Sequence, residues 1–162
     1  NDTKNAWWLT PPWNILSDSF HDKLALWISP SPGCIVVPKN QKALLVSTFQ
    51  VKEWTPTVVE SLADDMAKIH FVKLPSYKEV ATLTPHAISY QSTSVNFDPG
   101  VYQIVIEVYD LWGGLTAAVL SVRHVLNNSI IKRTEGDGTW AGYLVDQNTN
   151  ATLITRKLQM QD

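Results

Sequence analysis

The sequence predicts a mainly β protein: an antiparallel β-sandwich with one short helix, an irregular Trp- and Pro-rich strap at the N-terminus and a β-hairpin at the C-terminus. Three observations lead to this class. First, Val101–Asp110 alternates between Tyr102, Ile104, Ile106 and Val108 on one side and Val101, Gln103, Val105, Glu107 and Tyr109 on the other. That period of two places successive side chains on opposite faces of a strand. Second, Leu115–Val125 is rich in Val, Leu and Ala and follows a connection containing Gly113 and Gly114. The glycines are free to take positive φ in a tight turn, so the spacing predicts a hairpin of two long strands. Third, Ala43–Val51 carries Ala43, Leu45, Ser47, Phe49 and Val51 on one face and Leu44, Val46 and Thr48 on the other. Apolar residues on both faces predict a strand covered from two sides, or a bulge.

The remaining segments follow in order. Residues 1–33 hold Trp7, Trp8, Trp13, Trp27, Pro11, Pro12, Pro30 and Pro32. Proline fixes φ and removes a donor, so this stretch reads as a strap with a short apolar segment at 24–28. Residues 34–126 form the sandwich, starting with a short strand at Ile35–Val37. Thr57-Val58-Val59-Glu60 has the pattern of a capping box, and Val58, Leu62, Met66 and Ile69 follow at helical spacing. This predicts a helix over 58–68. Pro75 and Pro85 bracket another short strand, and Ala87–Tyr90 reads as a further one. Residues 127–162 hold a second hairpin signal, Thr139–Val145 and Ala151–Leu158 around the polar turn at 146–150. An isolated hairpin is marginal in water, so this one either packs on the sandwich or opens a following domain.

Composition bounds the function classes. The 162 residues are 44% apolar and 17% charged, with a formal net charge of -2, which suits one domain or one domain with an appendage. No run of Lys or Arg supports a nucleic-acid partner. No segment approaches the roughly 20 apolar residues of a membrane-spanning helix. Cys34 is the single cysteine, so an internal disulfide and a Cys-rich metal site are excluded. The first residue is Asn1 rather than Met, which reads as a processed chain or a piece of a longer one. Three N-x-[ST] triplets begin at Asn1, Asn127 and Asn150, and in a secreted protein these are glycan acceptors.

Asp98-Pro99-Gly100-Val101-Tyr102-Gln103-Ile104 resembles the D-x-G-x-Y-x-C signature that enters strand F of immunoglobulin-type sandwiches. Ile104 stands where that signature has Cys, so an antibody-like domain with an inter-sheet disulfide is excluded. The stretch from Gly100 to Gly114 is similar to the last hairpin of disulfide-free immunoglobulin-like and PKD-like modules. The resemblance implies an Ig-like sandwich in which Asp98, Gly100 and Tyr102 form a structural corner, the tyrosine hydroxyl bonding to upstream backbone. It implies little about activity, because one fold hosts many roles.

No catalytic constellation emerges. His21, His70, His86 and His124 are scattered, and His21 and Asp22 are sequence neighbours whose side chains point apart on a regular element. Cys34 reads as a structural or free thiol. Asp98, Asp110 and Asp137 lack the D-x-D-x-D-G spacing of a calcium loop, and the glycines form no phosphate-binding pattern. We therefore expect no enzyme activity, no metal and no cofactor. The aromatic residues offer binding candidates: Trp112 at a hairpin tip, then Trp140, Trp7 and Trp8. The expected function is a non-catalytic extracellular or cell-surface module of a larger ectodomain or assembly. It would act in adhesion, spacing or subunit contact, with a protein partner or neighbouring domains and no nucleic acid. The alternatives are a viral or phage surface or capsid-decoration protein on the virion, and a carbohydrate-binding module that stacks glycan on an exposed Trp.

Overall fold

The computed structural model of the chain describes residues 4–5, 7–8, 19–30, 37–38, 40–64, 66–85, 90–109, 116–136 and 138–161; residues 4–5, 7–8 and 158–161 are described by backbone alone. In chain order the elements are β1 (Lys4–Asn5), β2 (Trp7–Trp8), β3 (Ile28–Ser29), β4 (Gln41–Val51), β5 (Thr55–Asp64), β6 (Met66–Leu74), β7 (Lys78–Leu83), β8 (Gln91–Phe97), β9 (Gly100–Tyr109), β10 (Ala117–His124), β11 (Ile130–Arg133), β12 (Ala141–Asp146) and α1 (Ala151–Gln161). One sheet runs β1-β12-β4-β9-β6-β7; the other runs β2-β3-β10-β5-β8, with β11 added to β10. The architecture is a mainly β, two-sheet antiparallel sandwich with one short helix, the class the sequence predicts.

The core lies between the sheets. Ala43, Leu45, Phe49 and Val51 of β4 lie beside Tyr102, Ile104, Ile106 and Val108 of the neighbouring β9 in one buried cluster, and β10 of the opposite sheet contributes Ala118, Leu120 and Val122. Both alternating faces expected for Ala43–Val51 and for the strand beginning at Val101 are thus in place. At one end of the core, Phe49, Phe71, Phe97 and Tyr102 meet as an aromatic group. The Phe97 and Tyr102 rings are 4.9 Å apart edge-to-face, and Phe49 stacks on Tyr102 at 5.6 Å. Such pairs contribute about 0.5–1.5 kcal/mol each beyond their buried area. The Tyr102 hydroxyl donates to the Asp98 carbonyl at 2.7 Å, closing the corner between β8 and β9.

The outer faces are covered as well, which accounts for the apolar outer residues of β4. Helix α1 packs Ala151 and Ile154 on Leu44 and Val105 of the first sheet. The segment 19–27 lays Phe20 and Ala25 on Leu62 and Val119 of the second. β12 carries Gly142 where a side chain would collide with the chain entering from the strap: a Cβ there would sit 2.7 Å from the Pro30 Cα.

Three sequence expectations are corrected. β9 and β10 do not form a hairpin. Both edges of β9 are taken, by β4 and β6, so the returning strand crosses to the other sheet and pairs with β5. The helix expected over 58–68 is instead parts of β5 and β6. Its β-branched Thr57, Val58 and Val59 suit a pleated strand, and Glu60 does not close a capping box but accepts the His21 and Asp22 backbone amides at 2.6 and 3.2 Å. The C-terminal hairpin is half right. β12 pairs with β4, but the chain after the 146–150 turn is α1. Asn150 caps it, its Oδ1 accepting the Leu153 amide at 3.1 Å, and Ala151, Ile154 and Thr155 then share one helical face. The strand bracketed by Pro75 and Pro85 is β7. Residues 35–36 and 87–89, where short strands are expected, lie outside the described residues.

Two substitutions test this frame by urea denaturation. Gly142→Ala is expected to destabilise by about 1–3 kcal/mol, the usual cost of forcing extra volume into a packed site, because the obstacle is Pro30 backbone. Tyr102→Phe is expected to cost about 1 kcal/mol, the net worth of one hydrogen bond, with the fold retained. Unchanged stability in both variants would contradict the packing described.

Candidate functional site

A cluster of polar side chains gathers on the outer face of the first sheet. Residues of β9 that are not turned inward point there, which places Glu107 and Tyr109 side by side. β4 contributes Lys42, β6 contributes His70 and Lys68, and β7 contributes Glu79. Glu107 is the hub. Its Oε1 accepts from Lys42 Nζ at 2.6 Å and from the Tyr109 hydroxyl at 2.8 Å, and its Oε2 meets His70 Nε2 at 2.5 Å. His70 Nδ1 is bonded to Glu79 Oε1. Lys42 also donates to the Thr149 carbonyl at 2.6 Å, tying the turn before α1 to the sheet, and sits 5.6 Å from the centre of the Tyr109 ring. Lys42, His70 and Glu107 are buried, whereas Glu79 and Lys68 are exposed. A cleft of about 310 Å³ opens beside the group, lined by Lys68, His70, Glu79, Glu107 and residues 149–152.

The electrostatics follow from this geometry. Burial by itself pushes the Glu107 carboxyl up, but the bonds from His70, Lys42 and Tyr109 outweigh it and hold the group at about 2. Burial opposes a charge on His70, yet the two carboxylates raise its pKa above the usual 6.5. Burial also opposes a charge on Glu79, and the bond from His70 lowers its pKa nevertheless. Burial and the neighbouring Glu107 raise the Tyr109 phenol. With His70 protonated, the two carboxylates balance the imidazolium and the Lys42 ammonium.

This arrangement limits the chemistry available. A general base needs a free lone pair. Both ring nitrogens of His70 face carboxylates, so the protonated ring donates twice and has none to offer. The carboxylates lie on opposite sides of the ring and do not converge on one point. Among the described residues, no group of three or more His, Cys, Asp or Glu side chains is arranged to hold a metal ion.

A second polar cluster lies on the outer face of the other sheet. Buried Glu60 accepts the His21 and Asp22 amides and, at 2.7 Å, the Tyr90 hydroxyl. Asp22 accepts from Ser121 at 2.8 Å and from Arg133 Nε at 2.8 Å. Burial raises the Asp22 carboxyl, but the Arg133, Ser121 and Leu24 bonds bring it below its ordinary value. These bonds fasten the segment 19–27 to β5, β10 and β11.

The residues singled out in the sequence scatter. Trp140 is 1% exposed, its Nε1 donating to the Arg133 carbonyl at 3.0 Å, so its face is not available to a sugar and that assignment is corrected. The ring belongs to the main buried cluster. Trp112, Cys34, Asn1, Asp110 and Asp137 and the side chains of Trp7 and Trp8 lie outside the described residues. Asp98 and Tyr102 meet at the corner, with Gly100 opening β9. Asn127 and Asn150 are exposed. The His70 cluster is not legible in the sequence reading because residues 58–68, just before His70, read there as a helix, which hides the strand parity that places His70 beside Glu107. The available signal was the outward parity of Glu107 on its strand. Trp54, 56% exposed in the turn between β4 and β5, was also not singled out.

No family model matches the chain, and neither a curated protein nor a solved structure matches it.

Glu107→Gln is expected to destabilise by about 3–5 kcal/mol, because it leaves Lys42 buried without its counter-charge; adding Lys42→Met is expected to recover most of the loss. The pH dependence has two arms. The depressed Glu107 contributes stability that is complete above 4.5 and is lost as pH falls toward about 2. The raised His70 contributes stability that is complete below 6.5 and is lost as pH climbs through its elevated value. Urea midpoints are thus expected to peak between pH 4.5 and 6.5, and Glu107→Gln is expected to flatten the profile. A wild-type profile that falls neither below pH 4.5 nor above pH 6.5 would contradict the cluster.

Proposed function

We propose that this chain is a non-catalytic sandwich module of a larger extracellular protein or assembly, working as a rigid spacer that contacts neighbouring protein domains. One observation carries the reading. Among the described residues, the buried ionisable groups of the two polar clusters are engaged in joining elements of the fold: His70 joins β7 to β9, Lys42 joins β4 to β9 and to the turn before α1, and Glu60 and Asp22 hold the segment 19–27 to the second sheet. A ring locked between two carboxylates and a carboxylate shared by three donors suit a fixed scaffold better than a reaction centre. The disulfide-free Ig-like resemblance around Tyr102 agrees with the same role. The sugar-binding alternative loses Trp140, which is buried.

The test is cross-linking mass spectrometry on the native assembly. Exposed Lys52, Lys68 and Lys157 are expected to cross-link to a neighbouring domain or subunit. Links confined to the module itself would contradict the proposal. So would turnover of ester, glycoside or peptide substrates by the purified protein that disappears in a folded Glu107→Gln variant.

A further inference from the structure

We infer that Asn127 and Asn150 are acceptors for N-linked oligosaccharide. The inference rests on the extracellular reading above and adds the modification that such a chain would receive. Two of the three N-x-[ST] triplets fall on described residues, and in both the same geometry recurs. Asn127 lies in the turn between β10 and β11, where its Oδ1 accepts the Ser129 hydroxyl at 2.7 Å and the Ser129 amide at 3.0 Å. Asn150 caps α1, where its Oδ1 accepts the Thr152 hydroxyl at 3.0 Å and the Leu153 amide at 3.1 Å. In each triplet the hydroxyl two residues on reaches the asparagine side chain, and both bonds use the oxygen. The amide nitrogen is the atom the modification needs.

Both asparagines are exposed, and their surroundings leave room for a bulky polar group. Around Asn127, Leu126 is 78% exposed and Asn128, Ser129 and Val125 are exposed too. Asn150 stands at the rim of the cleft beside Glu79. The two positions lie at opposite ends of the sandwich. Asn127 follows His124, which pairs with Thr57 near the start of β5, while Asn150 follows Asp146, which pairs with Gln41 at the start of β4. Neither attachment disturbs a core residue or a sheet edge in use.

The step is a transfer without oxidation. The asparagine Nδ2 bonds to the anomeric carbon of an oligosaccharide carried on a lipid diphosphate. The bond from that carbon to the phosphate oxygen breaks, the lipid diphosphate leaves with the electron pair, and the amide gives up one proton to a base of the transferase. Oδ1 remains an acceptor, so a glycosylated Asn150 still caps α1.

The experiment expresses the chain behind an added signal peptide in mammalian cells. The secreted protein is then treated with peptide N-glycosidase in heavy-oxygen water and mapped by mass spectrometry. Asn127 and Asn150 are expected to appear as labelled aspartates. Ser129→Ala and Thr152→Ala are each expected to remove one oligosaccharide from the intact mass. Both keep the asparagine, and Thr152→Ala keeps the Asn150 cap. A secreted, folded chain whose asparagine stays unlabelled overturns the assignment at that position. The added signal peptide separates this outcome from the extracellular reading, which surface labelling of the native chain tests independently.

Discussion

Strand β9 has both edges and both faces occupied, and the rest of the chain is arranged around it. β4 and β6 hydrogen-bond its two sides, so no further strand can join it. Its inward residues Tyr102, Ile104, Ile106 and Val108 fill the space between the sheets. Its outward residues Gln103, Val105 and Glu107 are buried in turn. The next strand, β10, must therefore serve the opposite sheet, where it lies between β5 on one side and β3 and β11 on the other. A strand enclosed in this way has no route to pairing with another chain, which is how a sandwich protects its interior ladders.

Enclosing the outer faces raises a second requirement. Polar side chains of the strands are taken from water there, and each needs a partner. The fold answers with a buried strand carboxylate on each side, joined on the second by the buried Asp22 of the strap. Glu107 binds Lys42, Tyr109 and His70 on the first sheet; Glu60 binds two strap amides and Tyr90 on the second. Such networks add little net stability compared with an apolar filling of the same shape, but they are directional. Lys42 fixes where the chain turns before α1, and Glu60 with Asp22 fixes where the strap crosses β5. The covering pieces are thereby held in one register on faces that apolar contact alone would leave open to sliding.

The particular elements explain how far the sequence could be read. Alternation is a property of one strand, so β9 and β4 were legible residue by residue. Pairing is a property of two, and nothing in Leu115–Val125 states which edge remains free for it. The short Gly-containing connection pointed to a hairpin, and the occupancy of β9 decided otherwise. The pattern of Val58, Leu62, Met66 and Ile69 fits a helix and also two strands meeting near residue 65. Here β-branching and the distant partners of Glu60 outweighed the local cap. At Asn150 the reverse held: a local cap and a helical stripe set the structure, and the turn before it concealed them. The cluster at His70 was illegible because its members come from four strands, and only the outward parity of Glu107 hinted at it.

The account rests most directly on which strands flank β9. Inter-strand Hα–Hα and amide nuclear Overhauser contacts in the labelled protein measure this. The structure predicts contacts from β9 to β4 around Ile104 and Ser47, and from β9 to β6 around Ile104 and Phe71, with β10 seen instead against β5 around Leu120 and Ser61. A ladder of backbone contacts running directly between β9 and β10 would contradict it.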